Sequence, residues 1–220
     1  MKHIFFSFVS ALAFLACKQP APDPRRSLDC YLRYDAPNGL LRAEATFRDE
    51  ASLPIGEVPG GISLRGAALR KPRTPNLPYS DEYATAFNAS NLLEWESPKG
   101  TKRTFSLEIA PVTGFGFGST TILRQQPATL SWEGAPLSKG ESLVLMWENI
   151  AARQALPMEL YNASSEAKIE FPAAKLAELQ PGTWSLYLVR KRLTKSEIGN
   201  TSLSAVTEYY SHPIELQVRD

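Results

Sequence analysis

From Leu28 onward the apolar residues of this chain recur at every second position. Leu28, Cys30, Leu32 and Tyr34 alternate with Asp29, Tyr31, Arg33 and Asp35. After Pro37-Asn38-Gly39, the residues Leu41, Ala43, Ala45 and Phe47 alternate with Arg42, Glu44, Thr46 and Arg48. A period of two sends successive side chains to opposite faces of a strand, so each run offers one face to a core and one to water. Two such runs around an Asn-Gly turn predict a hairpin. The pattern points to an all-β chain.

The same period returns along the rest of the sequence. Residues 62–69 predict a strand with Gly66 as a bulge, and 70–79 a proline-rich connection without period. Leu93 and Trp95 lead into Ser97-Pro98-Lys99-Gly100, and Phe105, Leu107 and Ile109 lead out. Proline at the second turn position and glycine at the fourth suit a type I turn. Further strands are expected at Leu130–Trp132, 142–148, 158–161, 167–171, 183–191 and 203–218, the last interrupted at His212-Pro213. One short helical turn is expected at 173–179. Residues 111–119, PVTGFGFGS, break the pattern. Gly114, Gly116 and Gly118 do not make a phosphate loop, because no lysine follows them and no helix opens after them. They read as a hinge over 114–119, with Phe115 and Phe117 plugging the surface between two units, 28–113 and 120–220. Strand density of about seven in about 100 residues favours a β-sandwich for each unit.

Within the second unit, Leu179-Gln180-Pro181-Gly182-Thr183-Trp184-Ser185-Leu186-Tyr187-Leu188 resembles the E–F corner of fibronectin type III and related immunoglobulin-like sandwiches. In those domains a leucine, then Pro-Gly, then an aromatic residue open strand F. Here Trp184 stands where a tyrosine is usual. The resemblance implies an antiparallel immunoglobulin-like sandwich for the second unit, and strand spacing and turn density put the first unit in the same class, so two tandem sandwiches are expected.

The first seventeen residues resemble a bacterial lipoprotein signal peptide. Lys2 supplies a positive start, an apolar run follows from Ile4 to about Phe14, and Ala16 precedes Cys17. That run of about eleven residues is short of the roughly 20 a spanning helix needs. The resemblance implies removal of residues 1–16 and lipidation of Cys17, with the chain held at the membrane by its acyl anchor. It also implies the bacterial cell envelope as location, and Lys18 after the cysteine favours the outer membrane, periplasmic face. Residues 17–27 then form a lipidated cysteine and a spacer with Pro20, Pro22 and Pro24 in alternation. Ten such residues in extended polyproline form, at about 3.1 Å each, reach roughly 30 Å. With Cys17 lipidated, Cys30 has no partner for a disulfide and reads as a small buried hydrophobe.

Charge is nearly balanced, at 24 Lys plus Arg against 23 Asp plus Glu, which argues against nucleic acid as a partner. His3 leaves with the signal peptide, so His212 alone remains, and neither a histidine-based nucleophilic site nor a zinc site can be assembled. No metal or cofactor is expected. Glu94 and Glu96 flank Trp95 and share a strand face, the arrangement a carbohydrate-active hydrolase would need to place beside a groove. The four tryptophans lie in strands and read as core. Candidate ligand-binding aromatics are Tyr79, Tyr83, Phe115, Phe117 and Tyr209. The expected function is non-enzymatic: a lipid-anchored envelope protein that binds or scaffolds a protein, peptide or glycan partner. Alternatives are a periplasmic chaperone for envelope assembly and the hydrolase.

Overall fold

A computed structural model describes residues 23–160 and 163–220; the expected signal peptide, its lipidated Cys17 and most of the expected spacer lie outside the described residues. Among these, the chain forms sixteen strands and one helical turn. The predicted first hairpin joins β1 (Arg26–Asp35) to β2 (Leu40–Arg48), with Gly39 at φ 61° in the turn. Next come β3 (Ile62–Leu64) and β4 (Ala67–Ala68), which pair across Arg65-Gly66. Gly66 is therefore not a bulge within one strand. Both turn residues have positive φ, 53° and 79°, which is the type I′ geometry that matches strand twist.

β5 (Tyr79–Ala84) follows the proline-rich connection, and β6 (Ser90–Glu96) and β7 (Lys102–Glu108) form the second predicted hairpin around Pro98. β8 (Phe115–Phe117) occupies the expected hinge, and β9 (Thr121–Leu123) and β10 (Ala128–Trp132) follow. The 114–119 segment is thus an edge strand rather than a free hinge, with Phe117 opposite Leu130 and Phe115 opposite Trp132. Alternating Phe-Gly-Phe gives a strand two large side chains per repeat on one face, and that outweighs the flexibility of the glycines. β11 (Glu141–Asn149), β12 (Gln154–Leu160), β13 (Lys168–Phe171) and the turn α1 (Ala173–Leu176) lead to β14 (Gly182–Ile198), then β15 (Thr201–Tyr210) and β16 (Ile214–Arg219).

These strands make an all-β sandwich architecture. One sheet of nine strands runs β12-β11-β14-β15-β1-β2-β5, with β16 and β9 added beside β14. Its inner face is covered by two smaller sheets, β4-β3-β6-β7 over the first unit and β13-β10-β8 over the second. Phe47 meets Trp95 at 6.1 Å across the first sandwich, and Phe117 meets Trp147 at 5.9 Å across the second. All four tryptophans are buried, as their strand positions predict, and so is Cys30. Burial, with a smaller contribution from Asp29, pushes the Cys30 thiol up to about 12.

The large sheet crosses the boundary expected at 114–119. β14 is seventeen residues long, well beyond the five or six usual for a strand. Its first half pairs with β16, and its second half, from Val189, forms a hairpin with β15. β15 in turn lies parallel to β1, with Arg26 opposite Thr201 and Asp35 opposite Tyr210. A segment near the end of the chain is therefore a strand of the first unit's sheet. The switch from β15 to β16 falls where Pro213 has no N–H to give a ladder. Ser211 bridges the gap: its N–H bonds the Leu188 carbonyl and its hydroxyl accepts the Leu188 N–H, both at 2.9 Å.

Between the nine-stranded sheet and the segments packed on it, several buried polar groups are hydrogen-bonded. Arg190 on β14 donates to the carbonyls of Ala135 (2.9 Å) and Pro136 (2.8 Å) and to Glu141 Oε2 (2.6 Å). Glu141 also accepts the Ser138 N–H at 2.9 Å. Thr207 on β15 donates to the Glu108 carbonyl of β7 at 2.7 Å.

Candidate interaction surface

Because both small sheets cover the same face of the nine-stranded sheet, its other face stays open across both units. The strand alternation decides what appears there. On β15, Leu203, Ala205, Thr207 and Tyr209 turn inward, so Glu208 and Tyr210 turn outward. Register then places Glu208 opposite Lys191 of β14 on one side and beside Arg33 of β1 on the other.

Glu208 is the centre of this face. It is only 8% exposed, and its Oε2 accepts hydrogen bonds from the Tyr31 hydroxyl at 2.6 Å and the Tyr210 hydroxyl at 3.2 Å. Lys191 Nζ lies 3.9 Å from its other oxygen. The Arg33 guanidinium sits 5.3 Å from the Tyr210 ring centroid, within cation–π range, and 3.6 Å from Glu82 of β5. Tyr187 stacks on Tyr210 at 6.2 Å with 25° between the rings. On the other flank Lys191 approaches Glu159 of β12 at 3.8 Å, and Ser142 donates to Glu159 at 3.0 Å.

The result is a row of charge, Glu159, Lys191, Glu208, Arg33, Arg42 and Glu82, that runs across the sheet from β12 to β5; its signs alternate as far as Arg33, which has Arg42 of β2 opposite it before Glu82. Six inter-strand steps of about 4.8 Å make it roughly 29 Å wide. Burial, then the hydrogen bond to Glu208 and its charge, push the Tyr31 phenol up; burial and the Glu208 charge do the same for Tyr210. Burial, then Glu148, raise Tyr187. All three phenols thus remain neutral hydrogen-bond donors well into alkali. Each shared hydrogen bond and stacked ring restricts its partners, so the face is an ordered platform rather than a fringe of mobile side chains.

The aromatic residues singled out from the sequence lie elsewhere. Tyr79 is buried; its hydroxyl accepts the Val58 N–H at 3.0 Å and donates to the Gly56 carbonyl at 3.5 Å, which pins the proline-punctuated loop. Tyr209 is buried between Tyr34 and Phe87, at 6.0 and 5.4 Å. Tyr83 is half-buried on the inner side of β5, and Phe115 and Phe117 are half-buried on β8. These five are not brought together. His212 is exposed in the link between β15 and β16. Glu94 and Glu96 share the outer side of β6, where Glu94 accepts a 3.4 Å hydrogen bond from Ser63. Tyr31, Arg33, Tyr187 and Glu208 are the residues that sequence reasoning passed over, and of the adjacent Tyr209-Tyr210 pair, which must put one ring on each strand face, it kept the wrong member as a candidate. Tyr31 and Arg33 were already in the polar phase of β1, and Tyr210 is the outward member of a Tyr-Tyr pair.

No protein-family model matches the chain, and no curated protein matches it in sequence. Among solved structures, the FN1–FN3 domains of chicken CNTN1 align over 91% of this chain and 66% of that one, with a TM-score of 0.32 and 11% identity. A Salmonella alpha-2-macroglobulin mutant aligns over 92% of this chain and 16% of that one, with a TM-score of 0.25 and 13% identity. The chain spans just under two thirds of the first structure's length and about one sixth of the second's.

Proposed function

We propose that this chain is a lipid-anchored protein of the bacterial cell envelope that acts by binding a protein partner on the outward face of its nine-stranded sheet. The single observation that carries the binding half of this reading is the charge row through Glu208. It is assembled from β12, β14, β15, β1, β2 and β5; Glu208 and Glu159 are held by hydrogen bonds from Tyr31, Tyr210 and Ser142, and Lys191 and Arg33 lie 3.6–3.9 Å from carboxylates, before any partner arrives. Rigid groups of both signs fix the register of a partner and disfavour wrong ones. A protein suits this face better than a glycan, because the Tyr187 and Tyr210 rings stack on each other and Arg33 lies against Tyr210. The anchoring half rests on the apolar run ending at Cys17 and the proline spacer behind it.

One experiment addresses both halves. A photo-crosslinking residue is placed at Tyr210 in the full-length chain, in cells whose envelope is then fractionated. The expected result is a discrete crosslinked protein in the membrane fraction, absent when the probe is at exposed Arg73 and released to the soluble fraction by Cys17→Ser. A crosslink pattern identical at Tyr210 and Arg73 removes the binding surface. A soluble chain with an unmodified amino terminus removes the anchor.

A further inference from the structure

The long strand β14 outruns its neighbour. β11 pairs with it only as far as Glu141 opposite Arg192, and the Leu193 N–H bonds the Gly140 carbonyl at 3.0 Å where β11 begins. From there to the turn at Gly199-Asn200, β14 has β15 on one side and, among the described residues, no strand on the other. The two-residue turn makes Ile198 and Thr201 the closing pair, so the even residues of this stretch exchange main-chain bonds with β15. Lys195 and Glu197 then direct their N–H and C=O groups outward from the sheet edge. Both side chains are exposed.

Unpaired edges of this kind are templates for another strand, and proteins usually blunt them. The edge strand β12 carries Pro157, and β5 is bridged at Ser80 by Arg70. The β14 overhang has no proline, bulge or covering segment among the described residues.

What the overhang fits is decided by its own sequence. In antiparallel self-pairing about a twofold axis, the axis can fall at only a few positions. On Ser196, it sets Lys195 opposite Glu197 of the second copy, and Glu197 opposite that copy's Lys195. Both residues are in the outward-bonding phase, so each is part of a hydrogen-bonded pair. A shift that centres the axis on Lys195 or on Glu197 instead sets like charges directly opposite, which is destabilising. A shift by a single residue of pairing presents backbone groups already used by β15. We infer that residues 194–198 form an isologous pairing edge through which two copies of this chain join their nine-stranded sheets into one, with Ser196 on the twofold axis. The pairing uses the main-chain edge of β14, which the charge row through Glu208 does not, so it stands or falls apart from the proposed partner.

The test uses the full-length chain. At a non-hydrogen-bonded antiparallel pair the two Cα atoms are about 4.5 Å apart, within disulfide range. Ser196→Cys is therefore expected to give a cross-linked dimer on mild oxidation, measured above the background of the unaltered chain. Thr194→Cys moves the two sulfurs' attachment points about 13 Å apart and is expected to cross-link at least tenfold less. In the Ser196→Cys background, Lys195→Glu or Glu197→Lys alone should lower the yield about tenfold, and the two together should restore it. All these positions are at least partly exposed, and circular dichroism checks that each variant folds. Equal yields from Ser196→Cys and Thr194→Cys overturn the inference, as does a yield indifferent to either charge reversal.

Discussion

Arg190 and Glu141 form an ion pair at 2.6 Å with 3% and 2% of their side chains exposed, between the loop at 134–140 and the point where β14 leaves the second sandwich. Arg190 makes two further bonds and Glu141 accepts one more, while the buried Arg190 Nε has no hydrogen-bond partner. Such a pair contributes little relative to an apolar replacement, but removing one partner strands the other charge. Glu141→Ala is expected to lower stability by about 3–5 kcal/mol in urea unfolding. Combining it with Arg190→Met should recover a large part of that loss.

The same pair makes a pH prediction. Burial alone would raise the Glu141 carboxyl, but the hydrogen bond and charge of Arg190 and the Ser138 N–H outweigh it, and the group lies below its usual range. A depressed folded value means stability that is present above the unfolded value, near 4.3, and is lost as pH falls through the folded one. Unfolding free energy should therefore decline below about pH 4.3, and Glu141→Gln should flatten that acid limb while lowering the plateau.

Trp184 closes the Pro181-Gly182 corner that opens β14: its indole N–H donates to the Gln180 carbonyl at 2.8 Å. Trp184→Phe preserves most of the ring and leaves that carbonyl without its donor. The expected loss is about 1–3 kcal/mol in denaturant unfolding.

Shared strand β15 couples the two units. Leu203 is 1% exposed and contributed by the chain's last quarter to the first unit's core. Leu203→Ala should cost about 2–5 kcal/mol. Cys30 reports on the first unit and, in a Trp95→Phe background, the remaining tryptophans report on the second, so thiol labelling and tryptophan fluorescence should give one coincident urea transition with and without Leu203→Ala. Two separated transitions would show that the pairing of β1 with β15 carries no coupling.

At the β3–β4 turn Arg65 holds φ 53°, a region that costs an ordinary L-residue about 1–2 kcal/mol. Its side chain gains only a 3.3 Å hydrogen bond to Thr85 at the surface. Arg65→Asn or Arg65→Gly is expected to stabilise the protein by up to about 1 kcal/mol, read as a raised denaturation midpoint.

Local pattern made much of this fold legible: both long hairpins, the buried tryptophans, Cys30, and the break at His212-Pro213 follow from alternation and turn residues. What alternation does not carry is which strands become neighbours. Nothing near Leu28 or Leu203 indicates that these two residues sit side by side in a parallel pair. The outward face therefore escaped notice, since Glu159, Lys191, Glu208, Arg33 and Glu82 come from five segments joined only by sheet order. Tyr209 and Tyr210 illustrate the point. Alternation says that one faces in and one out, but assigning the phase needs the register against β14, where Tyr209 meets the buried Arg190 and Tyr210 meets Val189. The Phe-Gly-Phe segment was opaque for another reason: glycine spacing reads as freedom until a partner strand, here β10, is known to lie beside it.

The parallel contact between β1 and β15 also sets an order of events in time. A chain is made from its amino terminus, and nearby segments associate before distant ones. Here the first strand cannot acquire its neighbour until residues 201–210 exist. The β1–β2 hairpin must therefore wait with one edge open while the rest of the molecule is made. A high contact order of this kind slows folding, and the waiting edge makes nascent chains vulnerable to joining one another. β15 acts as a clasp, and the sheet's order is closed only when residues 201–210 return to residues 26–35.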